Sequence, residues 1–318
     1  MMHLRVISPP DLTDRLVREL EEEPGTANLV LHRGAAISPA GDVLICDVVR
    51  ESASELVERL QKDGLAERGA IALDEVAVSL SAAADRAELL APGDGAESVV
   101  WEQLEQRSGE ETRLSPTFLV FISVAAMIAA VGLLLDQPIL IVGAMVVGPE
   151  FGPLAALCVG IVRRRPRVVG HAALTLVVGF AVALAVTVLF AWTLSATGLV
   201  HREQLLAARP LTSFIWRPDA LSWIIATLAG VAGMLSLSTA KSGALVGVLI
   251  SVTTIPAAAN AGVAIAYGVP EQAGGAAIQL GINLLAIVIG GSVTLSVQRA
   301  LTSRALRRET ARRKASVS

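Results

Sequence analysis

Residues 116–162 read PTFLVFISVAAMIAAVGLLLDQPILIVGAMVVGPEFGPLAALCVGIV, a long apolar stretch with two charges, Asp136 and Glu150. An α-helix rises 1.5 Å per residue and the hydrocarbon core of a bilayer is about 30 Å thick, so roughly 20 apolar residues cross it. Pro116–Leu135 meets that length with no charge, and 139–162 meets it again after Asp136-Gln137-Pro138, with Glu150 as its one charge. Two consecutive spans fix the class of the molecule as an integral membrane protein.

Four further segments satisfy the same test on the way to the C-terminus: 168–194, 220–240, 242–267 and 273–297, with a polar stretch at 195–219. The expected fold class is a membrane α-helical bundle of about six transmembrane helices. The 318-residue chain is 53% hydrophobic with a mean hydropathy of +0.62, but the distribution says more than the mean. Residues 1–95 carry 9 Lys/Arg against 18 Asp/Glu, whereas residues 96–318 carry 17 against 11. Such asymmetry marks one aqueous and one lipid environment.

Orientation follows from the short loops. Arg163-Arg164-Arg165-Pro166-Arg167 lies between segments two and three, Lys241 between four and five, and seven Lys/Arg in the tail after 298. Opposite them stand Asp136, Glu271 and a longer loop with Arg202, Arg209 and Arg217. The positive-inside rule puts the arginine cluster and tail in the cytoplasm. An even number of spans places the N-terminus there too, giving a multi-pass protein of the cell inner (plasma) membrane. Met1–Arg5 leads into a strand pattern without the apolar core of a cleavable signal peptide, so the first hydrophobic helix is expected to direct insertion.

The first 81 residues alternate strand and helix signals. Leu4–Ile7 is β-rich; Ser8-Pro9-Pro10-Asp11 starts a helix carrying Leu12, Leu16, Val17 and Leu20; 27–33 and 42–49 read as strands around a Ser38–Asp42 turn. Ser52, with Glu55 three residues on, predicts a capped helix over 52–60, and 71–80 closes the pattern. The order β-α-β-β-α-β predicts an α+β ferredoxin-like domain. The domain plan is 1–81 ferredoxin-like and cytoplasmic, 82–113 linker and amphipathic helix, 114–298 transmembrane, and 299–318 a basic cytoplasmic tail. Val100, Trp101 and Leu104 give the amphipathic segment its apolar side.

Segment two contains Gly148, Pro149, Gly152 and Pro153 within six residues. Prolines remove backbone donors and weaken a helix, and lipid offers the freed groups no partner. The stretch is read as a packing kink or, functionally, as a broken helix lining a cavity. Pro153 and Pro256 in segment five align at an offset of 103, which brings Leu-Ala-Ala after Pro153 onto Ala257-Ala258-Ala259. Ala172-Ala-Leu-Thr-Leu resembles Ala276-Ala-Ile-Gln-Leu at an offset of 104. Three spans per unit predict a 3+3 inverted repeat, in which paired interrupted segments mark a binding site. The candidate path residues are Glu150, Pro149, Pro153, Gly148, Gly152, Thr253, Thr254, Pro256, Asn260, Gln279 and Asn283. Glu150 leads because an intramembrane carboxylate is costly. The alternatives are a position nearer the interface or a structural pairing with an arginine for Glu150, and interhelical hydrogen bonding for the three amides. Gly230, Gly233 and Ala226 are read as small-residue helix contacts.

No catalytic residue is assigned. His3, His32, His171 and His201 are scattered, and no zinc, nucleotide or intramembrane-protease motif is present. Cys46 and Cys158 fall in different environments, so no disulfide, metal or cofactor is expected.

Gly143-Ala-Met-Val-Val-Gly-Pro-Glu-Phe-Gly-Pro153, with Gly247–Pro256 and Asp219…Ala226…Ala229-Gly230…Gly233, resembles the DUF389 family of uncharacterised bacterial and archaeal hydrophobic proteins. The resemblance covers 114–298. Glu150 stands where many members have an apolar residue, and segment five has one proline where a pair is common. The resemblance implies a membrane protein without an assigned activity. The sequence is read as a transporter or channel for a small solute or ion, with its path between segments two and five. The competing reading is a membrane-anchored sensor or scaffold whose soluble domain binds a ligand or partner. Expected partners are membrane lipid and further copies of the chain in a homo-oligomer, with no nucleic acid.

Overall fold

The computed structural model describes residues 1–76, 78–90, 99–101, 104, 106, 109, 112–239, 247 and 253–317, with side chains through Leu301. The chain divides into two compact units. One comprises Met1–Leu104, Ser238–Ala240 and Gln298–Ser318, the other Glu105–Leu237 and Lys241–Val297.

The first unit holds β1 (Met2–Ser8), α1 (Pro10–Glu22), β2 (Thr26–Ile37), β3 (Ala40–Val48), α2 (Arg50–Lys62), the single turn α3 (Leu65–Arg68), β4 (Ala70–Glu75) and α4 (Ala82–Leu90). The strands form one antiparallel sheet ordered β2-β3-β1-β4. Leu4 faces Cys46 on one side and Leu73 on the other. Alternate residues of β1 are buried, as a strand with one covered face requires. That face meets Leu16 and Leu20 of α1 and Leu56 and Leu60 of α2, all nearly free of solvent. Each such leucine contributes about 1.5–3 kcal/mol of transfer free energy.

Three local expectations shift. α2 begins at Arg50 rather than after Ser52, because β3 runs straight into it and the Val49 carbonyl accepts from Ser52 N and Ala53 N. Ser52 is packed under Gly25 instead of capping, so closely that a Cβ on Gly25 would meet its Oγ. The fourth strand stops at Glu75. The expected linker starts with a helix, α4, whose Ala84 and Ala87 pack on Ala27 and Val49; residues 91–98 lie outside the described residues. Val100 belongs to the core of this unit, and Trp101 N donates to Ser54 Oγ.

The second unit contains α5 (Pro116–Leu134), α6 (Pro138–Val147), α7 (Phe151–Val162), α8 (Pro166–Ala196), the short α9 (Arg202–Leu206), a 3₁₀ turn (Ser213–Ile215), α10 (Ala220–Ser238) and α11 (Thr254–Ala266). It also contains the apolar part of α12, which runs Pro270–Val317. Among the described residues, α5, α8, α10 and the 270–301 part of α12 are long and apolar enough to cross a membrane. α6 and α7 pass the same test only when taken together, with a bend of 54° at the break between them. This is the signature of a multi-pass membrane protein. The first half of segment five lies outside the described residues.

Tight turns hold the helices antiparallel. After α5 and α7 the chain reverses through Asp136 and Arg164, both left-handed, with Gln137 N donating to Gly132 O and Arg165 N to Gly160 O, each at 2.8 Å. These are Schellman-type ends that satisfy the last carbonyls. α10 and α12 approach to backbone contact: a Cβ on Gly230 would meet Ile287 O, and one on Gly290 would meet Thr227 O. Small residues at that crossing do what aliphatic ones cannot, since close approach drives helix association in lipid.

Candidate functional site

Pro149 lacks the N–H that would bond the Met145 carbonyl, and the helix stops at Val147. It restarts at Phe151 with Glu150 as N-cap residue. α11 restarts in the same way at Thr254, after Thr253 as N-cap residue. Pro153 and Pro256 each occupy the third helical position, where a missing N–H costs nothing because first-turn donors have no intrahelical acceptor. α11 is buried from Thr254 to Ala264, and α7 is buried from Phe151 to Ala156. Helices apolar on every side belong inside a protein, away from lipid.

The two half-helices meet at their N-terminal ends. Thr254 Oγ1 donates to Glu150 Oε1 at 2.6 Å. The Ile255 side chain reaches Gly148, where an added Cβ would lie 2.8 Å from Ile255 Cγ1 and would also meet Glu150 Oε2. The carboxylate thus folds back over the break, and Gly148 is the residue that leaves room for it. Glu150 is only 5% exposed, and its Oε2 has no hydrogen-bond partner among the described residues. No cationic side chain among them pairs with it. The favourable field comes from the N-terminal ends of α7 and α11, each worth about half a positive charge.

A second polar strand adjoins the first. Asn283 Nδ2 donates to Thr253 Oγ1 at 3.0 Å, and Gln279 Nε2 donates to Asn283 Oδ1 at 3.3 Å. Gln279 Oε1 is a further buried acceptor without a partner among the described residues. The site therefore holds Glu150, Thr254, Thr253, Asn283 and Gln279, framed by Gly148, Pro149, Gly152, Pro153 and Pro256. It is rich in acceptors and suits a proton, a cation or a hydrogen-bond donor.

Asn260 stands apart. It lies six residues beyond Thr254, about 9 Å along α11, and its Oδ1 accepts from Arg209 Nη1 at 3.3 Å. Arg209 Nη2 donates to Gln272 Oε1 at 2.7 Å, so the guanidinium, 6% exposed, is held by two neutral amides. Burial draws the Arg209 pKa down, and nearby Asp136 opposes this. Asp136 itself accepts from Thr212 Oγ1 at 2.8 Å and from Leu211 N at 3.3 Å. Arg209, Gln272 and Asp136 were not among the sequence candidates; a lone arginine in a polar loop carries no signal of burial. Elsewhere, burial pushes the Cys46 thiol up to about 12, with Asp47 adding to the shift, which leaves it inert.

Residues 145–289 match the model of the family described as "Domain of unknown function (DUF389)". The resemblance read from segments two, four and five is borne out over that stretch. An uncharacterised protein of Methanocaldococcus jannaschii is similar to this chain, 26% identical over 217 residues. The match covers 68% of the chain and 65% of the relative, so less than two thirds of the relative is spanned. No solved structure matches.

Proposed function

We propose that this chain, with its DUF389 domain at 145–289, is a transporter or channel for a small solute or ion, its path running between the broken segments two and five. The observation that carries the reading is the meeting of two buried half-helices, N-terminus to N-terminus, around a carboxylate with an uncommitted oxygen. Irregular backbone at membrane depth is tolerated where it lines a cavity or is enclosed by protein. Discontinuous helices whose N-terminal ends converge are how secondary transporters build ion and substrate sites.

The positions of the helices support the proposed inverted repeat. Pro116 and Ala220 open spans 104 residues apart, Pro166 and Pro270 do the same, and Phe151 and Thr254 open half-helices 103 apart. The left-handed turn residues Arg164 and Gly268 are also 104 apart. Packing adds to this. α11 lies against α5 and α8 of the first half, while Cys158 of α7 contacts Val288 and Gly291 of α12 in the second. The second half thus lends α11 to the first, and α7, packed on α8, reaches the second through Cys158. On this reading the spans total six, and both termini are cytoplasmic. The strand order β2-β3-β1-β4 favours a ferredoxin-like domain at the N-terminus, with a regulatory or assembly role in a homo-oligomer.

The test is flux of ions and protons in proteoliposomes. Glu150→Gln should leave the protein folded and change the flux or its dependence on pH. A protein that folds and inserts but passes nothing, with or without the substitution, returns the account to an anchored sensor or scaffold.

A further inference from the structure

The segment preceding α5 is pinned to α8 by Thr175 Oγ1, which donates to the Thr112 carbonyl at 2.8 Å. Both threonines are buried. Beside this clasp lies a groove of about 410 Å³. Its lining includes two arginines, Arg113 and Arg167, and His171 beside the two threonines. Its walls are Leu114, Val168 and Leu174. Among the described residues, neither guanidinium has a carboxylate within 4 Å and no Asp or Glu lines the groove. His171 Nδ1 bonds the Arg167 carbonyl at 2.8 Å, which orients the ring and turns Nε2 away from that contact.

The groove sits at the membrane boundary. Ser115 caps α5, with its side chain accepting from Phe118 N, and Pro166 opens α8, so both spans begin here. On the bilayer side of the basic residues, Leu114 is 45% exposed, Leu174 57% and Val177 68%. The two guanidinium groups thus stand over an exposed apolar strip, without a carboxylate partner among the described residues. A soluble anion would match only the first half of that pattern, and a neutral lipid only the second.

We propose that this groove binds an anionic phospholipid, its phosphate between Arg113, Arg167 and His171 and its acyl chains along Leu114, Leu174 and Val177. Basic pockets beside transmembrane helices hold acidic head groups for this reason. Guanidinium groups suit a phosphate because they present several donors in a fixed plane. The site is separate from the broken helices and does not depend on what passes between them.

Native mass spectrometry of the full chain tests this, with phosphatidylglycerol and phosphatidylcholine of identical acyl chains in competition. The wild type should retain phosphatidylglycerol preferentially. Arg113→Gln with Arg167→Gln should cut that preference by about 25-fold, at about fivefold per basic group. Arg113→Lys with Arg167→Lys should keep most of it. Both arginines are exposed, so the variants should stay folded, which circular dichroism and a monodisperse elution check. sn-Glycerol phosphate should fail to displace the lipid. No preference in the wild type, an unchanged preference in the double glutamine variant, or displacement by the soluble phosphate would each overturn the proposal.

Discussion

Thr254→Val isolates the contact that joins the two half-helices. Valine keeps the shape of threonine and removes the hydroxyl that Glu150 Oε1 accepts at 2.6 Å. Thr254 is 1% exposed and Glu150 is 5% exposed, and Thr254 is the side chain that Oε1 bonds. A hydrogen bond to a charged group contributes about 1.5–3 kcal/mol, and one between neutral groups about 1. Since Oε2 has no partner among the described residues, the substitution leaves the carboxyl without its hydroxyl donor, and the loss should fall near about 2–3 kcal/mol. The assay is reversible unfolding in mixed micelles, read as a double-mutant cycle with Glu150→Gln. Each single variant should be destabilised, and the pair should cost less than the sum by about 1–2 kcal/mol, within the range of directly bonded residues. Losses that add to within about 0.5 kcal/mol would show that the two side chains do not meet, and the geometry of the break would be wrong.

Gly148→Ala places a methyl group against Glu150 Oε2 and Ile255. Overpacking of this kind costs about 1–3 kcal/mol, and it should weaken the coupling in the cycle above, since the carboxylate has to move. In the N-terminal unit, Asp42 accepts from Gly34 N at 2.7 Å. The Thr13 hydroxyl, that backbone N–H and Arg33 hold its carboxyl below the usual range. A depressed folded-state pKa contributes stability that is present above the unfolded value near pH 4 and is lost as pH falls through the folded one. The urea midpoint of a fragment ending after Leu104 should therefore drop below about pH 4, and Asp42→Asn should flatten that slope.

Much of this was legible because it depends on spacing. Uncharged runs of the right length marked the spans, and Gly148-Pro149 marked the break, since a missing N–H acts locally and shows in the chain itself. The fit of Leu16 and Leu20 under the sheet followed from helical periodicity. What escaped depends on contacts distant in sequence. Glu150 and Thr254 are partners across 104 residues, and only the offset of the two proline segments hinted that they would meet. Arg209 looked like a marker of orientation, yet Asn260 and Gln272 bury it. Ser52 has the composition of a cap, but β3 leaves no room for one before α2. Ala84 and Ala87 looked like linker because alanine carries no pattern, and their burial was decided by the small surface of Ala27 and Val49.

The central claim is that water and solute reach the meeting point of the two broken helices. Its most direct measurement is thiol labelling of Thr253→Cys, at the half-buried N-cap of α11, with Cys46 and Cys158 replaced. Leu285→Cys, on the exposed apolar surface of α12, serves as the lipid-facing control. A small charged thiosulfonate that does not enter lipid should modify Thr253→Cys in sealed vesicles and leave Leu285→Cys untouched. If Thr253→Cys stays unmodified until the protein is unfolded, the break is a dry packing feature and the proposed path does not exist.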